Sequence, residues 1–83
     1  MKKVNCHNLK IWRKYFDAVK NGSKKFEIRF DDRGYSEGDF IVLHEWSDAL
    51  QDYSGETIQK RIGFITGYEQ QEGFVVFSLL DLV

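Results

Sequence analysis

The chain has no proline, one cysteine and one methionine in 83 residues. With no proline to fix φ, its turns must be set by glycine, asparagine, aspartate and serine. The single cysteine, Cys6, excludes an internal disulfide and any zinc site built on cysteines, which need two to four. It reads as a small buried hydrophobe on a first strand. Long apolar runs are also missing. The stretch from Phe74 to Leu82 is too short to span a bilayer as a helix and is broken by Ser78 and Asp81. Met1-Lys2-Lys3 leads straight to the polar Asn5, His7 and Asn8, without the apolar core of a signal peptide. No membrane partner and a reduced, cytoplasmic location are the expectation. There is no internal repeat, no low-complexity run, no glycine-rich phosphate loop of the P-loop type and no readable Ser-His-Asp order.

What is present suits one small soluble domain spanning residues 1–83. The chain is 42% hydrophobic and 30% charged, with seven Phe, four Tyr and two Trp. A chain of this size buries only about 60–65% of its unfolded surface, so each buried aromatic matters. The net charge of −1 conceals an asymmetry. Residues 1–29 hold nine Lys and Arg against Asp17 and Glu27, whereas residues 30–83 hold Arg33, Lys60 and Arg61 against eleven acids. Either one basic face is offered to phosphates or the two halves attract each other within the fold.

The pattern along the chain predicts one helix and about five strands. Residues 3–8 read as a short strand. Ile11, Trp12, Tyr15, Phe16 and Val19 form an amphipathic stripe, which predicts a helix over residues 10–20 and places Trp12 in the core. Gly22 follows as a left-handed stop, with Lys20 suiting the negative end of the helix. From Lys25 to Phe30 the pattern alternates, Phe26, Ile28 and Phe30 against Lys25, Glu27 and Arg29. Phe40 to Trp46 reads as a strand covered on both faces, residues 47–56 as a loop or wide hairpin, and residues 57–66 and 74–83 as the last strands. Short turns between consecutive strands predict a mainly β or α+β domain with an antiparallel, partly closed barrel.

The segment Gly22-Ser23-Lys24-Lys25-Phe26-Glu27-Ile28-Arg29 carries the clearest chemistry. Glu27 and Arg29, two apart on a strand, project from one face at roughly 7 Å. Arg29 suits bidentate contact with a phosphate or a base edge, and Glu27 suits accepting from an amino group. Lys24, at the glycine turn, has no direction fixed by the strand. The plainer reading is a surface ion pair, worth about 0–1 kcal/mol. Trp46, which ends a strand beside Glu45, is the better of the two tryptophans for stacking on a base. His7 and His44 lack any metal-ligand spacing, so no metal or other cofactor is expected.

Gly22-x-Lys24-x-x-Glu27-x-Arg29 after a short helix resembles the G-x-K-x-x-E-x-R signature of the ASCH (activating signal cointegrator-1 homology) domain in the PUA-like superfamily. His7-x-Leu9-Lys10-Ile11, Tyr15-Phe16, Val19, Asp32-Arg33, Tyr35, Gly38-Asp39, Glu45-Trp46 and Tyr53-x-Gly55 extend the similarity over nearly the whole chain, toward a small bacterial and phage branch of unknown function. The resemblance implies a PUA-like partly closed β-barrel with one amino-terminal helix and a cleft beside it. It implies RNA or a modified nucleotide as partner, with Lys24 and Arg29 on phosphate or a polar ligand and Glu27 orienting them or reading a base. Arg33, Glu45 and Trp46 are further carry-overs. Some small ASCH proteins are amidohydrolases that deacetylate N4-acetylcytidine, with a nucleophilic threonine where this chain has Glu27. Hydrolysis would therefore need Lys24 and Glu27 to act differently, for instance with the carboxylate as general base on water. A purely structural or protein-interaction role is the third alternative. A concave pocket under Lys24, Glu27 and Arg29 favours the first two readings, and a flat solvated strand favours the third.

Overall fold

The computed structural model describes residues 3–82. Met1, Lys2 and Val83, which the sequence pattern assigns to the leading segment and the end of the last strand, lie outside the described residues. The elements are β1 (Cys6–Trp12), α1 (Arg13–Lys20), β2 (Phe26–Phe30), β3 (Phe40–Ser47), β4 (Asp52–Thr66) and β5 (Phe74–Leu80). The domain is mainly β with one short helix, the α+β class expected from the pattern. The strands form one sheet in the order β1-β3-β4-β5-β2.

The expected antiparallel, partly closed barrel is met with one difference in strand pairing and with its seam left open. β1 pairs parallel with β3, while β3–β4, β4–β5 and β5–β2 are antiparallel, so the sheet is mixed. Parallel neighbours need a long crossover, and residues 13–39, which include α1 and β2, supply it. The crossover carries β2 to the far edge, where it pairs with β5 instead of with a sequence neighbour. The sheet also does not close: β1 and β2 are its two edges. Side chains of β2 and of the loop after it bridge the gap, Arg29 Nη2 donating to Lys10 O and Arg33 Nη1 to Asn8 O, both at 2.8 Å.

The first strand runs to Trp12 and the helix begins only at Arg13. His7, Leu9 and Ile11 are buried and alternate with exposed Asn8, Lys10 and Trp12. This period of two prevails over the helical stripe because each residue of Cys6–Trp12 finds a register partner in Phe40–Trp46. Cys6, expected inside, shares the outer parity and is exposed. Only Phe16 and Val19 of α1 are buried. The helix stops as expected: Gly22 has φ +87°, and Asn21 N, Gly22 N and Lys24 N donate to Asp17 O, Val19 O and Ala18 O.

β2 alternates as expected, but with its apolar side outward. Phe26, Ile28 and Phe30 are 44%, 50% and 55% exposed, while Glu27 is buried. Glu27 stands opposite Phe77 in the β5 register, and directly opposed residues share a face, so the carboxylate points toward the core side. β3 buries Ile41, Leu43, Glu45 and Ser47 on one face, while Val42, His44 and Trp46 on the other are half-buried. β4 starts at Asp52, earlier than the pattern suggests, and the register shift opposite His44 to Trp46 absorbs Ser54-Gly55.

The core consists of Leu9, Ile11, Phe16, Val19, Tyr35, Ile41, Leu43, Ile62, Phe77 and Leu79. Beside it His7 Nε2 donates to Asp39 Oδ2 at 2.9 Å. Asp39 also accepts from Asn5 N at 3.2 Å and Ser36 N at 3.1 Å, tying the loop before β3 to β1. Burial by itself would raise the Asp39 carboxyl. The hydrogen bonds from His7, Asn5 and Ser36, with the charge of His7, outweigh it and hold the group below its ordinary value of 3.8. A depressed carboxylate contributes stability that is full above pH 3.8 and is lost as pH falls through the lower folded value. Asp39→Asn is therefore expected to cost about 2 kcal/mol near neutral pH. It is also expected to flatten the fall of melting temperature below pH 3.8, as read by circular dichroism melts across a pH series. An unchanged acid limb would show that Asp39 is not the group responsible.

Candidate functional site

The open seam of the sheet also holds a concavity. A cleft of about 560 Å³ sits between the β1 and β2 edges and the start of α1. Its polar floor is Lys24, Glu27 and Arg29, and its walls include Trp12, Tyr15, Phe26 and Ile28. The backbone order explains the assembly. β1 delivers Lys10 and Trp12 to one rim, the first turn of α1 delivers Tyr15, and the glycine turn after the helix throws Lys24 back over the start of β2.

Glu27 anchors the floor. Its side chain is 5% exposed, against 17% for Lys24 and 23% for Arg29. Lys24 Nζ donates to Glu27 Oε1 and, at 2.6 Å, to Phe26 O. Arg29 Nε donates to Glu27 Oε2 at 2.8 Å, and its Nη2 to Lys10 O. One buried carboxylate thus holds two cations at fixed positions, each with a second bond to a carbonyl. This is no loose surface pair: ion pairs of this kind are geometrically over-determined and keep their donors oriented.

The six residues singled out from the sequence separate into two groups. Lys24, Glu27 and Arg29 come together in the cleft. Arg33, Glu45 and Trp46 do not line it. Arg33 caps Asn8 O on the β1 edge and lies 3.6 Å from Asp32. Glu45 is buried on the inner face of β3, 4.0 Å from Arg13 Nε. Trp46 lies on the outer face, edge-to-face with Tyr53 at 5.2 Å and beneath Lys10 Nζ at 4.1 Å. The parity of β3 separates neighbours 45 and 46 onto opposite faces.

The tryptophan of the cleft is Trp12, 47% exposed, and not the core residue its helical spacing implies. Lys10, Tyr15, Phe26 and Ile28 are likewise wall residues that the sequence reading does not single out. A signal was available: His7-Asn8-Leu9-Lys10-Ile11-Trp12 alternates cleanly, and a strand there puts Lys10 and Trp12 on one side. Among the described residues no cluster of three or more metal-ligating side chains occurs, and no helix is long and apolar enough to cross a membrane.

The geometry has a counterpart in sequence. Residues 6–79 match the model of a family described as "Domain of unknown function (DUF3850)". The chain belongs to this family. The match starts at the first residue of β1 and ends one short of the last residue of β5, so all of the sheet but Leu80, and the whole cleft floor, lie within the DUF3850 domain. A relative described as "Uncharacterized 12.9 kDa protein in GpA 3'region", from Escherichia phage P2, is 40% identical over 63 residues, covering 76% of this chain and 56% of the relative. The chain thus spans about half the length of that curated relative.

Proposed function

We propose that this DUF3850 domain is a small RNA- or nucleotide-binding module of ASCH, PUA-like type, with the seam cleft as its site. The observation that carries the reading is the pairing of an anchored cationic floor with aromatic walls. Lys24 and Arg29 are held by Glu27 beneath a space edged by Trp12 and Tyr15. Phosphate or a base edge fits the cations, and a base offers its face to an aromatic ring. Lys10, Lys24 and Arg29 give the lining three cationic side chains against one carboxylate. The volume lies within the roughly 300–1,000 Å³ of small-molecule sites.

Binding of single-stranded oligoribonucleotides and mononucleotides is expected to quench Trp12 fluorescence and to weaken steeply with salt. Trp12→Ala changes an exposed side chain and is expected to leave the melting temperature in place while lowering affinity by about tenfold, the scale of one base–aromatic stack. Arg29→Ala is expected to weaken binding at least as much. No binding at low salt, or wild-type affinity in both variants, would reject the module reading.

One feature favours a hydrolase acting on a modified nucleoside such as N4-acetylcytidine: Lys24 Nζ contacts Glu27 inside a cleft. Both Glu27 oxygens already accept from cations, however, which suits an anchor better than a general base on water. Incubation with acylated cytidine, followed by mass spectrometry of wild type and Glu27→Gln, separates the two. A solvated flat strand would suit a purely structural role, and the concavity at β2 supports that role least.

A further inference from the structure

The hydrogen-bond inventory of the floor defines what kind of group it can take. Four acceptors face the two cations: Glu27 Oε1, Glu27 Oε2, Phe26 O and Lys10 O. Each already accepts one bond, Glu27 Oε1 and Phe26 O from Lys24 Nζ, Glu27 Oε2 from Arg29 Nε, and Lys10 O from Arg29 Nη2. The donors are not exhausted. An ammonium has three N–H bonds and a guanidinium five, so Lys24 keeps one, and Arg29 keeps both on Nη1 and one on Nη2. Among the described residues, the only side-chain acceptor oxygen lining the cleft apart from Glu27 is the Tyr15 hydroxyl, which also donates. The carboxylate that the sequence offers as a reader of amino groups is thus used internally, and its side chain is 5% exposed.

We infer that the cleft selects groups presenting two adjacent hydrogen-bond acceptors and rejects amino edges. This inference rests on the nucleotide-binding reading above and specifies the ligand class within it. Three sources carry such a pair: the O6/N7 edge of guanine, the O2/N3 edge of cytosine and the oxygens of a phosphate. Guanine and cytosine are the bases that offer two acceptors side by side in this way, and an arginine fork is the usual complement of the guanine pair. Adenine has its N6 amino group beside both N7 and N1, so it sets a donor against the free N–H bonds of Arg29. Arg29 is the specificity-determining residue, and Glu27 is a positioning residue that acts by holding it.

Isothermal titration calorimetry with guanosine, adenosine, cytidine, GMP, AMP and inorganic phosphate tests the inference. If a base edge is the acceptor pair, guanosine or cytidine binds at least tenfold tighter than adenosine. Arg29→Lys, which keeps the charge but loses the fork, then reduces that ratio to below threefold. If phosphate is the acceptor pair, GMP and AMP bind alike, the nucleosides bind at least tenfold more weakly than either, and inorganic phosphate competes. Adenosine binding as tightly as both guanosine and cytidine or tighter, in a manner phosphate does not compete with, would overturn the inference while leaving the nucleotide-binding reading intact. No binding of any of the six, together with none to single-stranded RNA, would overturn the nucleotide-binding reading and this inference with it. Melting temperatures of wild type and Arg29→Lys, measured alongside, separate a lost contact from a lost fold.

Discussion

Glu27→Ala is expected to destabilise the domain by about 2–3 kcal/mol, although it deletes a charged residue from an edge strand. Removing one partner of a buried pair costs roughly 3–5 kcal/mol because the remaining charge stays uncompensated. Here two cations remain, but their side chains are 17% and 23% exposed and partly rehydrate, which lowers the figure. In a domain of this size each kcal/mol moves the melting temperature by about 4–8 °C, so a fall of roughly 10–20 °C is expected. Glu27→Gln keeps the shape and one acceptor and should lose about half as much. The effect reaches the site as well. Without Oε2 the Nε bond of Arg29 is gone, and the guanidinium is tied only through Lys10 O. Thermal denaturation of both variants checks this, and melting within 1 °C of wild type would show that the carboxylate holds nothing together.

Phe77→Ala is expected to have the largest effect of any single truncation. Phe77 is 1% exposed and among the largest fully buried side chains. It packs against Tyr35 with ring centres 5.1 Å apart. Truncating a buried phenylalanine costs about 3–5 kcal/mol, through lost transfer energy and the cavity left behind. At roughly 0.05–0.15 kcal/mol per residue, the whole domain holds only about 4–12 kcal/mol. The variant should therefore be marginal or unfolded at 37 °C, while Phe77→Leu should keep most of the stability. Urea titration with linear extrapolation measures both. A loss below 1 kcal/mol for Phe77→Ala would mean that the core is not centred here. Because Phe77 stands opposite Glu27, the same cavity is expected to loosen the cleft floor.

The two substitutions act on opposed positions of β2 and β5, yet they differ in how far sequence exposes them. The alternation of residues 25–30 was readable, as were the glycine stop at Gly22 and the shared face of Glu27 and Arg29. The side of the sheet on which that face lies was not. Apolar Phe26, Ile28 and Phe30 were the natural inward set, and they point outward. A carboxylate goes inside here because two cations and a core-facing register meet it there. None of those conditions is local to the strand.

The same limit explains the errors around Trp12. Ile11, Trp12, Tyr15, Phe16 and Val19 recur at helical spacing, and buried His7, Leu9 and Ile11 at strand spacing, so Ile11 fits both patterns. Pairing with β3, more than thirty residues away in sequence, decides for the strand and frees Trp12 to wall the cleft. Glu45 and Trp46 were candidates as a unit, and pleating sends one inward and one outward.

Taken alone, the sequence determined the class of the domain, the number of its strands, the end of its helix and the trio Lys24, Glu27 and Arg29. These follow from short-range periods and turn chemistry, which act within a few residues. Only the tertiary structure decided the strand order, the parallel β1–β3 pair, the open seam and the walls of the cleft. Those depend on which distant strands pair, and the sign of a face, inside or outside, exists only once they have.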